Sequence, residues 1–176
     1  LTQSPNLPYS AALPLLLLWL AAPSLAWASG RPVAAAEGTL SGQQQQELRR
    51  LARKTWRFFE VFAGQEDHYL PPDNLQEDPR PVVAHRTSPT NIGLYLLSIS
   101  SARDQGWVGN AECIDRLDAT LATMGSLERF RGHFYNWYET RELRALEPKY
   151  VSTVDSGNLA GHLITLLNAC KEMMDQ

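Results

Sequence analysis

The sequence predicts an all-α fold of consecutive helical hairpins, with a separate apolar segment at its N-terminus. Three observations carry this. Beyond residue 40, apolar side chains recur at three- and four-residue steps in four stretches, as in helices with one buried face. Extended patterning is confined to short pieces between them. No charged residue occurs from Leu1 to Gly30. With 176 residues and 44% hydrophobic side chains, the chain is long enough for one domain with a substantial core. A net charge of −3 without any run of Lys or Arg leaves no electrostatic footprint for nucleic acid. Cys113 and Cys170 stand in apolar helical contexts, with no second thiol or histidine at ligand spacing. They read as core residues in a reducing compartment, with no metal site, disulfide framework or cofactor expected.

The centre of the first span is LPLLLLWLAAPSLAWA. Leu7 to Ala28 supplies the roughly 20 apolar residues of a membrane helix, with Trp19 and Trp27 as interface anchors and Pro14 and Pro23 as tolerated kinks. A signal peptide competes, since Ala26-Trp27-Ala28 is a small-x-small pattern before Ser29, although a basic n-region and a starting Met are lacking. Because the sequence starts at Leu1 and stops at Gln176 within a helical pattern, it reads as a fragment. Residues 1–30 are then the end of a membrane segment and 31–40 a linker, with 41–176 as the folded part. Arg49, Arg50, Arg53, Lys54 and Arg57 outnumber the nearby acids Glu37, Glu47 and Glu60, which points to a cytoplasmic soluble part.

Ser41 is a candidate N-cap for the first soluble helix, whose stripe is Leu48, Leu51, Ala52, Thr55, Phe58, Phe59 and Phe62, with Gly64 as its stop. Trp56 extends that stripe or reaches a site, the former being the plainer choice. Glu66 to Thr87 holds four prolines, so no helix runs through it. A connection this long inside a domain is a place for function, and His68, Tyr69, Asp73, Asn74, His85 and Arg86 are the groups it offers. Thr87-Ser88-Pro89-Thr90-Asn91 opens a second helix by a capping sequence, and IGLYLLSISSARDQG continues it with apolar residues on most faces, as in a buried helix. A third helix from about Ala111 carries Ile114, Leu117, Leu121, Met124 and Leu127, and its short connection predicts an antiparallel hairpin with the second.

Gly132 to His162 has the composition of a sugar cleft. Phe134, Tyr135, Trp137 and Tyr138 alternate with His133, Asn136 and Glu139. A pyranose shows an apolar C–H face to aromatic rings and a rim of hydroxyls to amides and carboxylates. The competing reading is a packed corner, which suits Phe134, Tyr135 and His162 best. His133 to Tyr138 and Pro148 to Thr153 read as extended arms. Asp155 heads the last helix, with its stripe Leu163, Leu166, Leu167, Cys170 and Met173, and either pairs with Arg86 or caps. Helical hairpins whose long, aromatic and carboxylate-rich connections gather at one end follow the plan of an α/α toroid of the six-hairpin type. Four helices make only part of one.

The strings PPDN (71–74), AHRTSPTNIGLYLLS (84–98), GHFYNWYET (132–140) and YVSTVDSGNLAGHL (150–163) resemble the central region of the bacterial cyclic β-1,2-glucan synthases. The likeness runs in order from about Leu7 to the end. In that family a glycosyltransferase part is followed by inner-membrane segments, then a glucoamylase-like toroid assigned to cyclisation, then a phosphorylase-like domain. The resemblance implies a membrane helix at the N-terminus, a β-1,2-glucan chain as partner, and ring closure by transglycosylation. Retaining transfer needs a carboxylate nucleophile and a carboxylic acid about 5–5.5 Å apart. Glu139, Asp155 and Asp73 are the carboxylates inside matching motifs, Glu139 and Asp155 being the catalytic candidates. A helix start favours an ionised Asp155, hence binding or nucleophilic work over acid work. The principal pair is expected beyond Gln176. On this basis Trp137 and Tyr138 stack on glucosyl rings, and Asp73, Asn74, His85, Arg86, Asn136 and Asn158 hydrogen-bond hydroxyls. The alternatives are a non-catalytic helical module organising a neighbouring transferase and a secreted helical glycosidase.

Overall fold

The computed structural model describes residues 9–31 and 40–175, with side chains from residue 12. Leu7, Pro8 and linker residues 32–39 lie outside the described residues. The chain divides into two compact units, 1–42 and 43–176. In the first, α1 (Tyr9–Ser29) runs through Pro14 and Pro23. Its Ala12–Ser29 stretch, with a mean hydropathy of 1.6, is long and apolar enough to cross a membrane. The helix is closed by Gly30, whose N–H donates to the Ala26 carbonyl at 2.9 Å. The Arg31 guanidinium sits 3.8 Å from the Trp27 ring centroid.

The second unit holds α2 (Gly42–Phe62), α3 (Pro89–Asp104), α4 (Asn110–Ser126) and α5 (Thr153–Met174). Among the described residues, strands are limited to antiparallel two-residue pairs: β1 (Leu75–Gln76) with β2 (Val82–Val83), β3 (Arg86–Thr87) with β6 (Tyr138–Glu139), and β4 (Arg129–Phe130) with β5 (His133–Phe134). The all-α class therefore holds. The arm at His133–Tyr138 is extended in two short steps. Pro148 to Ser152 is irregular rather than a strand. It is held by the Asn136 N–H, which donates to the Tyr150 carbonyl at 2.9 Å.

α3 is the central element. Ser88 caps it, accepting from the Asn91 N–H at 3.2 Å, and Pro89 occupies the first turn, where a missing N–H costs nothing. Ile92, Tyr95, Leu96 and Ile99 are fully buried. α3 packs against α5 and, less extensively, α4. Gly93 makes the α5 contact possible, because a Cβ there would lie 2.3 Å from His162 Nδ1.

α2 reaches this core through Trp56 and Phe59, followed by Ala63 just past its end, with the Phe59 ring 5.4 Å from that of Tyr95. The predicted stripe is thus rotated: Trp56 is buried, while Leu48 and Leu51 are more than half exposed. The stripes of α4 and α5 divide in the same way, since Leu117, Met124 and Leu166 are buried but Ile114, Leu121 and Leu167 are exposed.

The long connection between α2 and α3 is tied by Asp67, which is 5% exposed. Its Oδ1 contacts His85 Nδ1 at 2.8 Å and also accepts the Thr140 hydroxyl. His68 and Tyr69 follow in the left-handed region, at φ of 53° and 59°. Such residues are unfavourable alone by about 1 kcal/mol or more each. Both are fixed from α4, where Thr123 donates to the His68 carbonyl at 2.8 Å and Thr120 to that of Tyr69 at 3.1 Å. This knot ties the residues flanking β3 and β6, His85 and Thr140, to Asp67.

Candidate functional site

The β3–β6 register decides which side chains can reach a ligand. Arg86 lies opposite Glu139, and Thr87 opposite Tyr138. Directly opposed residues of an antiparallel pair share a face, and successive residues alternate between faces. Arg86 and Glu139 therefore project to one side, while Thr87, Tyr138 and the flanking His85 and Thr140 project to the core. His85 accordingly turns to Asp67, away from Arg86.

Tyr138 corrects the expectation of a stacking platform. It is 0% exposed, its hydroxyl donates to the Glu128 carbonyl at 2.6 Å and accepts from the Tyr135 N–H at 2.7 Å, and its ring meets Phe134 edge-on. Burial pushes its phenol up to about 12, outweighing the Tyr135 N–H and the Arg129 charge, which act the other way.

On the open side, the first turn of α3 joins two carboxylates. The Thr90 hydroxyl donates to Asp155 Oδ1 at 2.6 Å, and Asn91 Nδ2 donates to Asp73 Oδ1 at 3.3 Å. Asp73 Oδ2 accepts from Arg86 Nη2 at 2.9 Å, from Arg86 Nε at 3.2 Å and from Asn74 Nδ2 at 3.0 Å. Arg86 thus pairs with Asp73, and its guanidinium sits 4.9 Å from the Trp137 ring centroid. Asp155 is not the α5 cap. Ser152 takes that place by accepting the Asp155 N–H at 3.1 Å, which leaves the carboxylate free to reach across to α3.

Asn136, 6% exposed, is the hub. In the orientation that satisfies its amide, the nitrogen donates to Asp155 Oδ2 at 2.8 Å. The oxygen accepts from Trp137 Nε1 at 2.7 Å and from the Tyr150 hydroxyl at 2.8 Å. Asn158 adds a donor to Thr90 Oγ1 at 3.2 Å. One hydrogen-bonded rib therefore runs from Tyr150 through Asn136 to Asp155, Thr90 and Asn158. Beside it lies the cluster of Asp73, Asn74, Arg86 and Trp137.

Glu139 shares the Arg86 face, but its Oε2 accepts the backbone N–H groups of Arg141 and Glu142 and so caps the turn after β6. Both Asp155 oxygens already accept from neutral donors. Positioned amides, hydroxyls and carboxylates beside an indole form a surface suited to binding a polyol. Thr90, Asn91 and Tyr150 were missed by sequence reasoning. Thr90 and Asn91 read as capping residues; Tyr150 lay in the last quoted motif without a signal separating it from the arm.

The fold defines this unit as part of a glucoamylase-like α/α toroid. It matches the solved structure of a glucoamylase-like protein from Bacteroides fragilis NCTC 9343 with a TM-score of 0.59 at 17% identity, covering 76% of this chain and 32% of that one. No protein-family model matches the chain. In sequence, the chain is 51% identical over 161 residues to the cyclic β-(1,2)-glucan synthase NdvB of Rhizobium meliloti (strain 1021). That similarity covers 91% of this chain and 6% of the relative, so the chain spans a small part of the protein it matches.

Proposed function

We propose that this chain is a segment of a cyclic β-1,2-glucan synthase and forms one wall of the glucan cleft in its glucoamylase-like domain. The observation that carries this reading is convergence. PPDN supplies Asp73 and Asn74, AHRTSPTN supplies Arg86, Thr90 and Asn91, GHFYNWYET supplies Asn136, Trp137 and Glu139, and YVSTVDSGN supplies Tyr150, Asp155 and Asn158. These motifs are dispersed along the chain, yet their polar groups share the hydrogen bonds of one site. Trp137 presents the apolar face for a glucosyl ring, with Arg86 fixing its attitude. Asp73, Asn74, Asp155 and Asn158 bond the hydroxyl rim.

In this reading Glu139 and Asp155 hold sugar and backbone in place, and the carboxylates that transfer the glucosyl group belong to other parts of the longer protein. Residues 1–30 are its membrane segment, 31–40 the linker and 41–176 the start of the toroid. The soluble part lies on the cytoplasmic face of a bacterial inner membrane. Other domains of the same long chain are the remaining partners.

Calorimetric titration of the full-length protein with linear β-1,2-glucan tests the reading. Trp137→Ala is expected to weaken binding about tenfold, the worth of one stacked aromatic contact. Equal affinity in both forms would remove Trp137 from the cleft.

A further inference from the structure

The β4–β5 hairpin and the irregular segment before α5 enclose a groove of about 440 Å³, lined by Phe130, His133, Tyr135, Lys149, Tyr150 and Val151. We propose that this groove is a second glucosyl subsite, taking units of the same chain beyond the one at Trp137; the inference rests on the glucan-cleft reading above.

Three features select a sugar. First, the groove presents aromatic rings at its surface: Phe130 is 51% exposed and Tyr150 47%. Phe130 lies beside the turn of a tight hairpin whose Arg131 and Gly132 take φ of 50° and 88°. Second, polar groups flank the rings. Lys149 Nζ is held by Glu128 at 2.9 Å and lies 5.6 Å from the Tyr135 centroid, while His133 is exposed on β5. Flat apolar faces beside fixed hydrogen-bond donors are what a pyranose needs and what a purely apolar partner helix does not.

Third, the groove is continuous with the site. Tyr150 lines the groove, and its hydroxyl donates to Asn136, the amide that also binds Trp137 Nε1 and Asp155. The Asn136 N–H donates to the Tyr150 carbonyl at 2.9 Å, so Tyr150 is positioned by the same residue through both backbone and side chain. A chain lying on Trp137 and continuing past Tyr150 would reach the groove, since Tyr150 belongs to both. Occupancy of both places requires more sugar units than occupancy of one.

The test compares affinity for short and long linear β-1,2-gluco-oligosaccharides in the full-length protein, using Phe130→Ala and the bulkier Phe130→Leu, which keeps apolar volume but has no ring. Both are expected to weaken binding of the long oligosaccharide about tenfold and leave the short one unchanged, whereas Trp137→Ala weakens both. Unchanged long-chain affinity in the two Phe130 variants, with Trp137→Ala still weakened, would overturn the subsite and leave the cleft standing. Unchanged affinity in all three would remove both. A lowered melting temperature in the Phe130 variants with intact long-chain affinity would assign the groove to contact with another part of the protein, and overturn the subsite as well.

Discussion

Asn136 and Tyr138 stand two residues apart and do opposite work. Asn136 is uncharged, but three side chains depend on its amide. Asn136→Ala removes the hydrogen-bond partner of the Trp137 indole N–H and of an Asp155 carboxylate oxygen, at about 0.5–1.5 kcal/mol for each lost bond. A fall in melting temperature together with weaker glucan binding is expected; loss of neither would show the rib to be dispensable. Tyr138 is a core residue, and its ionisation gives a pH signature. Its pKa is about 12 in the folded protein against about 10 in the unfolded chain. Its contribution is therefore complete below pH ~10 and lost as pH rises towards ~12. Tyr138→Phe is expected to lower stability at neutral pH and to reduce the additional loss between these values, measured by denaturant unfolding at a series of pH values. An unchanged alkaline slope would contradict this. The sequence marked Asn136 and Trp137 as candidates because amide and aromatic groups alternate there, and the structure joins the two by a hydrogen bond. It could not separate Tyr138 and His85 from Arg86, because facing depends on pairing β3 with β6, more than fifty residues apart.

At the scale of elements, the most extensive helix packing is between α3 and α5. Alanine favours a helix over glycine by about 1 kcal/mol, so Gly93→Ala would stabilise an isolated helix. Here the added Cβ meets His162 Nδ1 at 2.3 Å. Overpacking of this kind costs about 1–3 kcal/mol, and Gly93→Ala is expected to lower the melting temperature. The penalty should shrink when His162 is first changed to Ala, which removes the ring and leaves its Cβ 3.0 Å from the added methyl, and a double-mutant cycle reads this coupling directly. Destabilisation of equal size in both backgrounds would place the cause elsewhere. Helix positions were largely legible: the Ser88-Pro89 start of α3 and the Asp155 neighbourhood at the head of α5 follow from capping chemistry. Which face of α2 is buried was not. Leu48 and Leu51 satisfy the same spacing as the core residues, and only the position of Tyr95 on α3 brings Trp56 and Phe59 inward.

For the whole molecule, apolar side chains remain uncovered on several helices: Leu48 and Leu51 on α2, Ile114 and Leu121 on α4, and Leu167 on α5. Ile114, Leu121, Cys170 and Met173 line a groove of about 410 Å³. In the proposed reading, further helices of the longer protein cover such faces. Residues 41–176 expressed alone are then expected to lack a cooperative thermal transition, and a sharp transition in a monomer would count against it. The likeness to a glucan synthase was legible because long motifs stand in order, whereas the hydrogen-bonded group they form depends on how residues from four places in the chain meet at the start of α3. Amide hydrogen exchange on the full-length protein, with and without linear β-1,2-glucan, tests the glucan wall most directly. Slowed exchange at 71–74, 84–91 and 129–158 is the expected result. Protection confined to other parts of the protein, with none in these segments, would contradict it.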